Sequence, residues 1–256
     1  MHWLWLLAAF LVILAVLLAK AVAYRRTLVS FRSDLKRYAE ENRLLQRAGR
    51  ASLPGGSPPG ERIILFGDAI AENWEIGQDF PELAFLNRGI AGETTLHMLA
   101  RFQQDVLSLR PRIVILLAGR DDLVARLPLS ATQDHLQLMT RLAARQGIEL
   151  ILSSLLPVRQ RKPSFWRGGE QFQPSSILAM NAWMRECARE NGLEYADFHS
   201  ALADADGWMR PEFSDDGVRP NSAAYRAMAA ALCAVLERIL ERAQPSRSAR
   251  GRAARD

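Results

Sequence analysis

The stretch IVILLAGRDD, residues 113–122, decides the fold class of this 256-residue chain. Its first five residues are all apolar, which is typical of a parallel strand covered on both faces rather than of a half-exposed strand with alternating polarity. A polar turn that contains a glycine follows at once, as expected where such a strand ends. The stretch therefore predicts a buried parallel strand with polar side chains at its carboxyl end.

Strands and helices alternate through the middle of the chain. Apolar runs that predict strands lie at residues 63–66, 84–86, 113–117, 150–152 and 195–198. Periodic patterns that predict helices lie at residues 94–109, 136–142, 176–191 and 221–242. The alternation predicts one α/β domain over residues 61–242, with three α/β/α layers and a parallel sheet of about five strands. In such sheets the functional site lies beyond the carboxyl ends of the strands.

The charge of the chain is unevenly distributed. The whole sequence carries 33 Lys and Arg against 28 Asp and Glu, a net charge of +5. Nine basic and three acidic residues give residues 1–60 a net +6, and four against one give residues 243–256 a net +3, which leaves −4 for residues 61–242. Nucleic-acid binding needs a concentrated basic face, so we expect no nucleic-acid partner. Two cysteines exclude a disulfide framework or a four-cysteine zinc site.

An apolar segment opens the chain. Residues 3–19 are apolar without interruption, and the run continues to residue 24 if Lys20 extends its ammonium to the interface. About 20 apolar residues span a bilayer, so residues 1–24 predict one transmembrane anchor. A cleaved signal peptide is the alternative, because residues 21–23 resemble a cleavage site. The basic residues that follow favour a cytosolic domain, whereas an ordinary signal anchor would place the domain outside the cytosol.

Three further segments are predicted outside the domain. Residues 25–48 predict a juxtamembrane helix whose apolar residues recur at spacings of three and four, as in a short coiled coil that would form a homodimer through residues 28–45. The seam positions are Leu28, Phe31, Leu35, Tyr38, Asn42 and Leu45. The alternative is an amphipathic helix that lies on the membrane or on the chain's own domain. Residues 49–60 predict a Gly- and Pro-rich linker, and residues 243–256 a disordered basic tail.

Four polar blocks lie after predicted strands or before the last helix. They are GDAI at 67–70, NRGIAGET at 87–94, AGRDD at 118–122 and DDGVRPN at 215–221. Their order and spacing resemble those of the SGNH/GDSL hydrolases, a family of esterases and lipases that includes platelet-activating-factor acetylhydrolase-like proteins. The resemblance covers nearly all of residues 61–242 and implies the SGNH-hydrolase, flavodoxin-like fold.

The resemblance also implies which positions would carry catalysis. Ala69 stands where the family has its nucleophilic serine, and Arg219 stands where it has its histidine base. Asp216 retains the triad acid and Gly92 one oxyanion-hole position. Asp121 replaces the asparagine of the other oxyanion-hole position, or Arg120 does if the alignment shifts by one.

The three replacements remove the chemistry of acyl transfer. A methyl group cannot attack a carbonyl carbon, and a guanidinium cannot accept a proton at physiological pH. A carboxylate would repel the oxyanion that an amide would stabilise. We therefore expect a pseudoenzyme that binds an acylated or carbohydrate ligand or a protein partner. One alternative is an active ester hydrolase that uses unconventional groups such as Asp68 or His199, and another is a purely structural, dimeric membrane protein.

Other charged residues near the blocks are candidates for the pocket. They are Asp68, Arg120, Asp122 and His199. We expect Arg219, three residues from Asp216, to face Asp121 and Asp68 as well and to form a static ion-pair network among these carboxylates. The arginines argue against a divalent cation among these carboxylates, so we expect no metal and no cofactor. The long connection at residues 158–174 predicts a cover for the site or a solvated loop. The expected location is a single-pass one in a bacterial inner membrane, with the side of the domain open.

Overall fold

The structure is a computed structural model that describes residues 2–47, 61–158, 174–217 and 219–242. The predicted linker and tail lie outside these ranges, as does nearly all of the connection at residues 158–174.

Five strands and nine α-helices make up the described chain. The strands are β1 (Ile63–Gly67), β2 (Phe85–Gly89), β3 (Ile113–Leu117), β4 (Glu149–Ser153) and β5 (Glu194–Ala196). The helices are α1 (His2–Arg47), α2 (Ala69–Glu72), α3 (Ile76–Asp79), α4 (Thr95–Asp105), α5 (Arg120–Val124), α6 (Leu129–Arg145), α7 (Pro174–Glu190), α8 (Phe198–Leu202) and α9 (Ser222–Arg242). The predicted long helices correspond to α4, α6, α7 and α9. The one-turn helices are too short for a periodic pattern to reveal them.

The sheet is parallel throughout, with strand order β2-β1-β3-β4-β5. Alternate residues of the central strands face opposite helical layers. Ile64 and Phe66 of β1 belong to the core under α4, α6 and α7, whereas Ile63 and Leu65 belong to the core on the side of α2, α3, α8 and α9. The predicted three-layer α/β/α fold with five parallel strands is confirmed.

Strand β2 is longer and more polar than the prediction at residues 84–86. It runs on through Asn87 and Arg88 because both side chains find partners beside this edge strand. The Asn87 amide donates to the carbonyls of Ala71, at 2.7 Å, and Trp74, at 3.1 Å. Polar residues are therefore accommodated in a strand that an apolar pattern alone would end early.

Helix α1 is one continuous helix of 46 residues whose last turns pack on the domain. The Tyr38 hydroxyl donates to the carbonyl of Gly89 at 2.8 Å, and the Asn42 amide donates to the Asp105 carboxylate at 2.6 Å. Leu45 joins the core below α4. For these three seam positions the structure supports packing on the chain's own domain rather than a dimer. The side chains of Leu28, Phe31 and Leu35 lie outside the described residues.

The first half of α1 carries large apolar side chains that the domain does not cover. Eight of them are exposed, from Phe10 at 60% to Val22 at 51%. Within the side chains that the structure describes, no helical stretch reaches the length and apolarity required to cross a bilayer. The side chains of residues 2–9, 11, 23 and 24 lie outside that part, and the anchor at residues 1–24 stays a prediction.

Candidate functional site

The polar blocks converge on a cleft at the carboxyl end of the sheet. Strands β1 and β3 lie side by side there, and their connections leave toward opposite sides because β2 and β4 lie on opposite flanks. This is the switch point at which doubly wound sheets bind ligands. The cleft has a volume of about 830 Å³. Its walls come from residues 69–79 after β1, from Arg120 after β3, and from Asp215 and residues 219–226 at the start of α9.

The turn after β1 places Ala69 in the cleft and buries Asp68. Gly67 is required at this turn, because a Cβ would lie 2.5 Å from the carbonyl oxygen of Leu117. Asp68 is 1% exposed, and its carboxylate accepts a hydrogen bond from the amide of Ile70 at 2.9 Å, which caps α2. Ala69 is the first residue of that helix and lines the cleft. The side chain at the predicted nucleophile position is thus a methyl group.

The buried carboxyl of Asp68 has a perturbed acidity. Burial, and next the nearby charge of Asp121, raise its pKa to about 7, although Arg120 opposes the shift. Burial also raises the pKa of the Asp121 carboxyl. The charges of Asp68, Asp121 and Arg120 therefore influence one another at the base of the cleft.

The predicted oxyanion-hole positions contact each other. The backbone amide of Gly92, a residue with a φ of +80°, lies near the Asp121 carboxyl and opposes the rise of its pKa. Arg120 donates to the same carboxylate at 2.9 Å. The Asp121 carboxyl therefore lies beside the amide that would otherwise bind the developing charge of a reacting ester.

Arg219 pairs with Asp216 alone among the carboxylates of the predicted network. One Asp216 oxygen accepts the backbone amide of Arg219 at 2.8 Å, and the other lies 3.3 Å from its Nε. The Arg219 side chain is 83% exposed. The predicted pairing of Arg219 with Asp121 and Asp68 is wrong, because Arg120 follows β3 directly and reaches Asp121 first.

Two other pocket candidates lie in the interior instead of the cleft. Asp122 accepts hydrogen bonds from the Thr95 amide at 2.8 Å and the Thr132 hydroxyl at 3.1 Å, so it joins the first turn of α4 to α6. His199 is 6% exposed, and its backbone amide donates to the Ser154 hydroxyl at 2.8 Å. Burial lowers the pKa of the His199 imidazole. Neither side chain lines the cleft, because the residue after a strand end can turn inward as well as outward.

An aromatic pair that the sequence reasoning did not assign to the site lines the cleft. The rings of Trp74 and Tyr225 stack with centroids 5.8 Å apart. Trp74 donates from Nε1 to Asp79 at 2.8 Å, and the Tyr225 hydroxyl donates to the carbonyl of Ile70 at 3.0 Å. Trp74 lies five residues beyond Ala69, and Tyr225 four beyond Asn221. The sequence could have indicated both residues, because each lies within five positions of a residue in the first or the last polar block.

In residues 2–47, 61–158, 174–217 and 219–242, no three His, Cys, Asp or Glu side chains are arranged to hold a metal ion.

Comparison with known proteins identifies the family that this architecture belongs to. Residues 65–227 match the GDSL-like lipase/acylhydrolase family. No curated protein is significantly similar to the chain. A GDSL-like lipase from Bacteroides thetaiotaomicron has 26% identity and a TM-score of 0.69, over 80% of this chain and 98% of its own. A proposed acylhydrolase from Bacteroides fragilis has 25% identity and a TM-score of 0.70, over 80% and 96%.

An acetylxylan esterase from Geobacillus stearothermophilus shares the fold. It has 18% identity and a TM-score of 0.55, over 68% of this chain and 92% of its own.

Proposed function

Because the chain belongs to the GDSL-like lipase/acylhydrolase family, we propose that it is a non-hydrolytic member: a membrane-anchored module that binds a ligand in the cleft without cleaving it. Ala69 carries the proposal. Its methyl group lines the cleft directly after β1, where the family's nucleophilic oxygen is expected. Without that oxygen no acyl-enzyme can form.

The groups around Ala69 support the same conclusion. The proposed base position holds the Arg219 guanidinium, which offers only hydrogen-bond donors and pairs with Asp216. The Asp121 carboxyl lies near the Gly92 amide, so an anionic intermediate at that amide would meet a negative charge. Asp68 is not a ready substitute nucleophile, because its carboxyl is buried and caps α2.

The lining of the cleft favours a polar, largely uncharged ligand. Three arginines and three carboxylates contribute to its walls, so their formal charges balance. Asn73, Gln78 and Asn221 add side-chain amides, and Trp74 and Tyr225 add aromatic rings. Amides and aromatic rings together offer hydrogen bonds and flat apolar surface, which suit a carbohydrate or an acylated polyol.

Membrane anchoring is proposed for the apolar first half of α1. Residues 3–19 contain no polar residue, and large side chains from Phe10 to Val22 remain exposed. Apolar surface of this length is stable only in an apolar surrounding. The measurement is flotation of the full chain with lipid vesicles in alkaline carbonate, which releases peripheral proteins. Recovery of the protein in the soluble fraction would contradict the anchor.

Hydrolysis is tested by rebuilding the lost groups in the full chain, purified in detergent. The unaltered protein should turn over p-nitrophenyl acetate no faster than its Asp216→Ala variant. The triple variant Ala69→Ser, Arg219→His and Asp121→Asn should gain turnover, because it regains a nucleophile, a base and an amide donor.

A matched control uses the same triple variant with Asp216→Ala added. It should lose the gained turnover, since the histidine would no longer be oriented. Turnover by the unaltered protein that Asp216→Ala abolishes would refute the proposed loss of catalysis.

A further inference from the structure

The contacts made by the last turns of α1 show in which direction this helix runs along the domain. Tyr38 contacts Gly89, the last residue of β2, at the carboxyl end of the sheet. Asn42, one turn later, contacts Gln104 and Asp105 at the far end of α4. The other end of α4 lies at the carboxyl edge, where the Thr95 amide meets Asp122 after β3. Helix α1 therefore passes from the cleft end of the sheet toward the opposite end.

The earlier part of the same helix must extend past the cleft end. It continues without a break from Tyr38 back to His2. The apolar stretch ends at residue 24, fourteen residues before Tyr38. At 1.5 Å per residue this separation is up to about 21 Å.

The end of α1 is fixed to the domain by a buried polar clamp. The clamp consists of Tyr38, Asn42 and Arg88, none more than 5% exposed. The Arg88 guanidinium donates to the side-chain oxygen Oδ1 of Asn42 at 2.9 Å and lies 4.7 Å above the Tyr38 ring. Buried, hydrogen-bonded contacts of this kind hold one orientation.

We infer that the cleft is held facing the bilayer, up to about 21 Å from it, and takes a ligand that the membrane itself presents: the polar headgroup of an embedded amphiphile. This inference rests on the proposed function for its anchor. A headgroup that fills the cleft must extend well above the lipid surface, which favours a chain of several polar units over a small phosphate ester. The amide and aromatic lining of the cleft suits such a polar chain.

The orientation is tested by energy transfer between the domain and the bilayer surface. The full chain, with Cys187→Ala and Cys233→Ser, is reconstituted in lipid nanodiscs that contain an acceptor-labelled headgroup. A donor dye is attached through Ser222→Cys, in the cleft, or through Glu149→Cys, at the opposite edge of the sheet. Transfer from position 222 should exceed transfer from position 149 by at least about twofold, because five residues of strand alone separate the two edges by about 16 Å.

Equal transfer from the two positions, or greater transfer from position 149, would overturn the inference while leaving the anchor intact. Failure of the chain to float with vesicles would instead refute the anchor. A heptad inserted after Ser30 should lift the domain by about 10 Å and lower both transfers while keeping their order. Unchanged transfer after the insertion would also overturn the inference, since α1 would then not set the distance.

The clamp is tested with Asn42→Ala and the matched control Leu44→Ala, a 57% exposed residue on the same helix. Asn42→Ala should shrink the difference between positions 222 and 149, because Arg88 and Asp105 lose their shared partner. Leu44→Ala should preserve the difference. A full difference in Asn42→Ala, in a sample whose circular dichroism matches the unaltered protein, would refute the clamp.

Discussion

Two clusters of arginine and carboxylate side chains flank the turn after β1, and they differ in burial. Beside the cleft, Arg219 and Asp216 are 83% and 44% exposed. Beneath α1, Arg101 is 3% exposed and lies between two acids, Glu93 at 1% and Asp105 at 0%. Arg101 Nε donates to Glu93 at 2.6 Å and Nη1 to Asp105 at 3.0 Å, while Nη2 reaches the carbonyl of Gly67 at 3.3 Å.

Because of this difference in burial, the fold depends on the buried cluster, whereas the exposed pair beside the cleft can change with little loss of stability. The exposed pair lies in water, where an ion pair contributes about 0–1 kcal/mol. The buried cluster would leave uncompensated charges in the core if one member were removed, which costs about 3–5 kcal/mol. The side chain at position 219 can therefore vary at little structural cost.

Arg101→Ala should have the largest effect on stability. It leaves Glu93 and Asp105 buried without their common cation, and it removes a guanidinium that lies 4.2 Å above the Phe66 ring. We expect a loss of about 3–5 kcal/mol in the free energy of unfolding, measured by guanidinium denaturation of the full chain in detergent. Arg189→Ala is the control, because Arg189 pairs with Glu186 at 71% exposure and its removal should leave the free energy of unfolding nearly unchanged. Equal losses in the two variants would remove the distinction between the clusters.

Asp68→Asn should change how stability depends on pH. The pKa of Asp68 is about 7 in the folded chain against an ordinary 3.8. Between these values the folded carboxyl keeps its proton and the unfolded one releases it, so the contribution of Asp68 is present below pH 4 and lost as pH rises through 7. The asparagine keeps an acceptor for the Ile70 amide and does not titrate.

The expected result is a variant as stable as the unaltered protein at pH 4 and more stable at pH 8, by on the order of 3 kcal/mol. Unfolding midpoints across this range provide the measurement. Parallel pH curves for the two proteins would show that Asp68 is not the titrating group. Asp122→Asn is no substitute test, because both Asp122 oxygens accept hydrogen bonds, one from the Thr95 amide and the other from the Thr95 and Thr132 hydroxyls. An asparagine keeps only one of these two acceptors, so the variant would be destabilised at every pH.

The layers of the fold could be predicted from the sequence because buried strands and helices have recognisable patterns of apolar residues. The run at residues 113–117 is buried throughout and forms β3 as predicted. The cluster around Arg101 has no such pattern, because its members lie on a loop and a helix. Its further partner Asn42 comes from a segment that resembles a coiled-coil seam. Contacts between residues about 60 positions apart depend on how α1 docks, which no local pattern encodes.

The sequence predicted which loops form the site, but it did not predict which of their side chains point into the cleft. The four blocks identified the loops that converge at the cleft, and Ala69, Arg120 and Arg219 line it. Asp122 and His199 follow strands in the same way and turn inward. Whether such a side chain enters the cleft depends on the turn that follows the strand, here α5 or α8, and both helices are a single turn long.

Arg219→Ala should have the smallest effect on stability, and this makes it the sharpest test of the comparison. The guanidinium is 83% exposed and contacts Asp216 at 3.3 Å, so its removal should change the free energy of unfolding by less than about 0.5 kcal/mol. The backbone amide that donates to Asp216 at 2.8 Å remains in the alanine variant and keeps the loop in place. Thermal unfolding at low and high salt provides the measurement, since screening weakens an exposed pair. A salt-independent loss above about 2 kcal/mol would mean that Arg219 belongs to a buried network and that the structure of the cleft depends on it.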